Sequence, residues 1–176
     1  MKKKVLLTLI VCLVLGLLLS WPVYAQEQEA IPVSGSFSYT WDSPQMAETA
    51  RYVVMDGRER EIWSGDFEGT ADAIWRLRMF KDLPTIDAWL VSEFTGMVLG
   101  KYEGTMTIIL VGDHPNSPDT QWYGEWAVVS GTGDLANVHG TGIWWGPGNG
   151  ANDPDPDVPD LYYAGEVIFM EPLPSE

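Results

Sequence analysis

The chain has 176 residues, with 10 Lys and Arg against 25 Asp and Glu, for a formal net charge of −15. So acidic a chain disfavours nucleic acid and anionic membrane surfaces as partners, because binding either of them requires basic side chains that neutralise phosphate. The length suits one domain that buries about two-thirds of its unfolded surface.

The N-terminus has the pattern of a secretory signal peptide. Three lysines (residues 2–4) precede an apolar run over residues 5–19, and the small residues Val23 and Ala25 precede a predicted cleavage after Ala25. We therefore expect a secreted or periplasmic protein, with a signal peptide at 1–25, a disordered lead-in at 26–32 and one domain at 33–176. The alternative is an uncleaved membrane anchor, since the apolar stretch approaches the length that spans a bilayer.

The only cysteine, Cys12, lies inside this leader. The mature chain then has no thiol, which excludes a disulfide, a cysteine nucleophile and a thiolate metal site. Its fold must be held together by its core alone.

Beyond the leader, short β-favouring runs alternate with turn signals. The run Ser34–Asp42 places Phe37, Tyr39 and Trp41 on one face, the period-two pattern of a half-buried strand. Further strands are predicted at 52–55, 61–63, 65–80, 87–95, 102–111, 121–130, 143–145 and 161–170. The dipeptide Asp56-Gly57 predicts a hairpin turn between the first two of these.

About eight such runs, with a helical pattern only in the short piece Ser43–Ala50, indicate an all-β protein. A single antiparallel β-barrel is favoured over a sandwich, because closure removes exposed strand edges. Eight strands leave an interior wide enough for side chains or one small ligand.

The most distinctive stretch is Ser130-Gly-Thr-Gly-Asp-Leu135, followed by His139-Gly140 and a β-favouring run to Trp145. Gly131, Gly133 and Gly140 mark positions of tight turning or close backbone approach, and Asp134 is placed to cap the turn. With Gly65–Gly69, Phe94–Gly96, Tyr102–Gly104 and the final Tyr163–Phe169 run, this stretch resembles the allene oxide cyclase-like barrel family, whose fold plant allene oxide cyclase and dirigent proteins share.

The resemblance implies a barrel that can hold a small apolar molecule and that can form homo-oligomers. It also implies, as one alternative, a cyclase, isomerase or dirigent-like enzyme that orients such a substrate. No catalytic residue is assigned, because the mature chain has no cysteine to match the one in the plant cyclase cavity.

Candidate ligand-binding residues come from two strand faces. Arg76 and Arg78 share one face, where they could pair with Glu93 or Glu166 inside the barrel and hold a carboxylate ligand. Alternatively that face is the outer one, as the apolar residues on the opposite face of the strand suggest. Trp122 and Trp126 share a face of another strand; core packing is the default for such rings, but an exposed Trp can also grip a sugar or an apolar ligand.

Metal and cofactor motifs are missing from the sequence. His114 and His139 lack a ligand spacing, and the acidic run at 153–160 alternates Asp with Pro, which favours a solvated extended loop over a calcium loop. We expect neither metal nor cofactor. The sequence thus predicts a secreted barrel that binds a small apolar or amphipathic molecule, with the enzyme above and a structural protein with a filled barrel as alternatives.

Overall fold

The computed structural model describes residues 28–42, 44–117, 120–148 and 159–170. The predicted signal peptide and Asp153, Asp155 and Asp157 of the acidic loop lie outside these residues. Within them the chain forms nine β-strands and no helix. None of the described segments is therefore a helix that could cross a membrane.

The strands are numbered in chain order. Their bounds are β1 Ile31–Trp41, β2 Gln45–Glu48, β3 Tyr52–Gly65, β4 Phe67–Phe80, β5 Thr85–Val98, β6 Tyr102–Pro115, β7 Trp122–Gly133, β8 Val138–Gly146 and β9 Leu161–Phe169.

All nine strands belong to one antiparallel sheet, in the order β1-β9-β8-β7-β6-β5-β4-β3-β2. Strand β1 pairs with β9 through Ile31–Phe37 and with β3 through Gly35–Trp41, so β1 and β3–β9 close most of the way into a ring. The short β2 lies outside this ring, paired only with β3. The predicted all-β antiparallel architecture is confirmed.

The ring has two ends that differ in their connections. The turn end carries the connections 65–67, 98–102 and 133–138, and the loop end carries 80–85, 115–122 and 146–161. At the turn end, Phe67, Val98 and Leu135 are fully buried and fill the interior.

Side chains alternate between the interior of the ring and its outer surface. On β4 the predicted inward set Ala71, Trp75 and Leu77 is buried or half-buried, whereas Arg76 and Arg78 are exposed. Aromatic rings dominate the interior, and Trp63 and Phe67 each contact several other rings.

Three interior tryptophans lie over glycines of a neighbouring strand. The directly opposed pairs are Gly57 with Trp75, Gly124 with Trp144, and Gly142 with Trp126. In each pair a Cβ on the glycine would collide with the indole ring. Glycine at these sites makes room for the flat ring, which is why the interior accommodates so many tryptophans.

Three local predictions are wrong. Asp56-Gly57 does not form a hairpin turn, because β3 continues through both residues. Glycine is needed at position 57 because a Cβ there would collide with the Trp75 ring. In the predicted helical piece 43–50, residues 45–48 form β2, paired with β3. Strand β1 begins at Ile31, inside the predicted lead-in, because Ile31 and Pro32 already pair with β9.

Candidate functional site

The loop end of the ring contains a small apolar cavity. The volume of the cavity that the centre of a water molecule can occupy is about 40 Å³. At about 10–15 Å³ for each water, that is room for roughly three waters. Its lining residues are Phe37, Tyr39, Trp41, Glu59, Trp75, Leu77, Ala88, Leu90, Leu110, Trp122, Trp144 and Leu161.

Nine of these lining residues are buried, and the remaining three, Trp41, Leu77 and Trp122, are half-buried. The mouth of the cavity therefore lies between these three side chains. The opposite end of the interior is filled by the packed rings described above.

The apolar lining includes two indole donors without acceptors. Nε1 of Trp75 and Nε1 of Trp41 are both buried, and neither has a hydrogen-bond partner among the described residues. The Trp41 N–H is close enough to Glu59 to favour its ionised form, but it does not reach hydrogen-bond geometry. A buried donor left unpaired costs about 1–3 kcal/mol, so an acceptor placed in the cavity would recover stability.

Behind the cavity, two carboxyl groups of β3 face the interior. Glu61 is fully buried, and Trp63 Nε1 donates to its Oε2 at 2.7 Å while Ser92 Oγ donates to its Oε1 at 2.9 Å. Glu59 is 6% exposed and hydrogen-bonds Glu61 from the cavity side. Ser92 comes from β5, which β4 separates from β3 in the sheet, so its bond to Glu61 crosses the interior.

Burial raises the pKa of both carboxyl groups. For Glu59 burial is the largest cause and the nearby charge of Glu61 adds to it, so its pKa lies well above the ordinary value. For Glu61 the hydrogen bonds from Trp63, Ser92 and Glu59 oppose the effect of burial on the pKa. Glu61 therefore holds the negative charge of the pair more readily, and Glu59 keeps its proton to higher pH.

The predicted arginine site does not form inside the ring. Arg76 Nε donates to Asp56 Oδ1 at 2.6 Å and Arg78 Nη2 to Asp87 Oδ2 at 2.5 Å, both on the exposed outer surface. The Asp56 carboxylate beside Arg76 has its pKa lowered by that hydrogen bond. Of the two alternatives for these arginines, pairing with Glu93 or Glu166 inside a barrel is corrected and the outer face holds, because strand alternation turns both side chains outward.

Glu93 and Glu166 are likewise exposed on the outer surface. Glu93 accepts from the hydroxyl of Thr107 on β6. Of the predicted residues, Trp122 and Trp126 do point inward. Trp122 lines the cavity mouth, and Trp126 lies deeper, where its Nε1 donates to the Ala164 carbonyl at 3.3 Å.

The predicted turn motif closes the turn end. Leu135 is fully buried. Asp134 donates its backbone N–H to the Glu103 carbonyl and accepts the Glu103 backbone N–H on its Oδ2. Gly133 has a positive φ of 63°, and a Cβ on Gly131 would meet the Leu135 carbonyl. Gly140 packs against the Trp126 ring and Val167.

The histidines and acidic residues of the described segments form no cluster of three that could hold a metal ion. His114 packs its ring against Trp122 with centroids 5.0 Å apart, while His139 is exposed. Asp160 is buried and its Oδ2 accepts the backbone N–H of Tyr39 at 3.1 Å, so it fixes the start of β9 against β1.

Sequence reasoning missed the buried acids Glu59 and Glu61. The two-residue periodicity of a strand could have indicated their burial, because Glu59 and Glu61 share a strand face with the core residue Trp63. The false turn at Asp56-Gly57 cut this strand short and hid the pattern.

Comparisons with known proteins show the fold. No family model matches the chain, and no curated protein matches it. A crystal structure of a protein of unknown function from the DUF3224 family of Shewanella oneidensis MR-1 is similar, with a TM-score of 0.63 and 17% identity. The match covers 82% of this chain and all of that one.

Proposed function

We propose that the ring is a ligand-binding β-barrel that takes a small amphipathic molecule into the cavity at its loop end. The observation that carries this proposal is the combination of an apolar cavity with polar groups left unused inside it. Ligand sites are typically apolar with a few placed polar groups, and Glu59 and the indole N–H of Trp75 fit that description.

The size of the cavity limits the ligand. A molecule larger than the enclosed space would extend past Trp41, Leu77 and Trp122 into solvent. The aromatic lining favours apolar bodies, because each ring removes a large area from water on contact.

The barrel is also proposed to work outside the cytoplasm, as a secreted or periplasmic protein of the allene oxide cyclase-like kind. The lysines at 2–4, the apolar run and the cleavage pattern at Ala25 support secretion. The glycine motif 130–135 supports the family. Mass spectrometry of the protein from its own host would test cleavage, since the mature chain would then begin at Gln26.

Isothermal titration calorimetry with one-ring probes tests the binding function. Toluene, phenol, cyclohexanone and cyclohexanol are one-ring molecules that differ in their polar group. We expect at least one to bind the wild-type protein. Ala88→Leu, which fills the cavity, should weaken that binding at least tenfold.

Two controls decide between the cavity and the outer surface. Ala127→Leu adds the same atoms on the outer face of β7, and Arg76→Gln removes the exposed arginine; both should leave binding unchanged. Binding that survives Ala88→Leu and is lost in Arg76→Gln would place the site at the outer arginines. No binding by any probe would support the filled structural barrel instead.

One observation favours an enzyme as the second candidate. A carboxyl group with a raised pKa in an apolar cavity is what a general acid needs near neutral pH, and Glu59 has both properties. Glu59 would then donate a proton to a bound apolar substrate, as an isomerase or cyclase requires. An isomerised product that wild-type protein forms and Glu59→Gln does not would favour this candidate; ligand recovered unchanged favours the binder.

A further inference from the structure

We infer that the cavity selects neutral molecules that present a carbonyl oxygen, with ketones and aldehydes as the simplest class. The inference rests on the proposed binding function and names the chemistry of its ligand. It follows from which hydrogen-bonding groups the cavity leaves unused.

The unused groups are donors. Trp75 lines the cavity, and its buried Nε1–H has no acceptor among the described residues; Trp41 at the mouth is in the same state. The two rings pack against one another with centroids 5.1 Å apart, so both belong to the same wall of the cavity. An indole N–H can only donate, and a ligand that satisfies it must bring an acceptor.

The other polar group of the cavity is the carboxyl group of Glu59. Trp63 and Ser92 donate to the Glu61 oxygens and leave Glu61 as the acceptor of its pair with Glu59. The proton of Glu59 is therefore used within the pair, and the indole N–H groups of Trp75 and Trp41 remain the unpaired donors of the cavity wall.

Charged ligands do not fit this wall. No Lys, Arg or His stands among the residues that line the cavity, so a carboxylate would enter beside an acid pair with no cation to neutralise it. An ammonium group has no lone pair, so it would leave the N–H groups of Trp75 and Trp41 without an acceptor.

A matched series of one-ring compounds tests the class. Cyclohexanone, methylenecyclohexane, cyclohexylamine and cyclohexanecarboxylate share their ring and differ in one group; methylenecyclohexane replaces the carbonyl oxygen by CH₂ with nearly the same shape. Titrated at pH 7 against the full chain, cyclohexanone should bind at least tenfold more tightly than each of the others.

Trp75→Phe removes the N–H and keeps an aromatic ring. It should weaken cyclohexanone binding about fivefold or more and leave methylenecyclohexane unchanged, whereas Trp89→Phe on the outer face should change neither. If Trp75→Phe does not fold, the wild-type series still decides.

These measurements test the carbonyl class of the ligand separately from the proposed binding function. Equal binding of cyclohexanone and methylenecyclohexane, or tightest binding of the amine or the carboxylate, overturns the carbonyl class while the cavity remains a binding site. If the wild-type protein binds none of these compounds, both the binding function and the carbonyl class are overturned.

Discussion

The indole of Trp75 packs directly against Gly57, its opposed partner on the neighbouring strand. This contact lets the large indole lie in the wall of the closed sheet without pushing β3 and β4 apart. It also places Trp75 where it lines the cavity. Both the straight course of β3 and the shape of the candidate site depend on it.

Gly57→Ala should destabilise the protein by about 1–3 kcal/mol, because the added Cβ would overlap the Trp75 ring. Urea unfolding measures the loss. In the Trp75→Leu background the same substitution should cost much less, since the smaller side chain leaves room. A neutral Gly57→Ala in the wild-type protein would show that the contact is looser than described.

Ser92→Ala should cost about 1–2 kcal/mol, because it removes a buried hydroxyl that donates to Glu61. Ser130→Ala is the matched control: its hydroxyl is exposed and bonds Thr107 on the outer surface, so unfolding should change by less than about 0.5 kcal/mol. Equal effects in chemical denaturation would argue against a buried network around Glu61.

Glu59→Gln should change how stability depends on pH. Folding raises the pKa of Glu59 above its ordinary value of 4.5, so the folded chain holds this proton more tightly than the unfolded chain does. The stabilisation is complete below that ordinary pKa and is lost as pH rises through the raised one. Since Gln cannot ionise, the variant should gain stability relative to wild type as pH rises from 4 to 8, by up to about 1.4 kcal/mol for each pH unit.

The control for this dependence is Glu93→Gln, which removes an exposed carboxylate from the outer surface. It corrects for the change in net charge, because both variants lose one acidic group. The same pH slope in the two variants would mean that overall charge, and not the buried pair, sets the dependence.

Leu135→Ala should cost about 2–5 kcal/mol, because Leu135 is fully buried and fills the turn end of the ring. Leu83→Ala, at a residue that is 55% exposed, should leave the melting temperature nearly unchanged. A small effect at Leu135 would show that the glycine-rich turn does not close this end.

Strand periodicity and turn residues could predict much of the fold. Alternation along 69–80 placed Trp75 inward, and the glycines of 130–135 located the turn before β8. These signals are local, because a strand with one buried face and a turn with a positive φ each constrain their own residues.

The candidate site depends on contacts that no local signal describes. Asp56-Gly57 is a dipeptide typical of a turn. A glycine inside a strand is explained here only by the Trp75 ring, which lies opposite it on β4. The burial of Glu59 likewise depends on the closure of β1 against β3, where it pairs with Trp41. Alternation indicated the outer face for Arg76 and Arg78, but their partners Asp56 and Asp87 lie on neighbouring strands, which no local signal identifies.

The most direct test of the central claim follows the indole N–H signals in ¹H–¹⁵N NMR spectra as cyclohexanone is added. The account predicts shifts for Trp75 and Trp41, whose N–H groups are unpaired, and little change for Trp126 and Trp144, whose N–H groups already donate to backbone carbonyls. A shift confined to the exposed Trp89, with Trp75 unmoved, would contradict it and place binding on the outer surface.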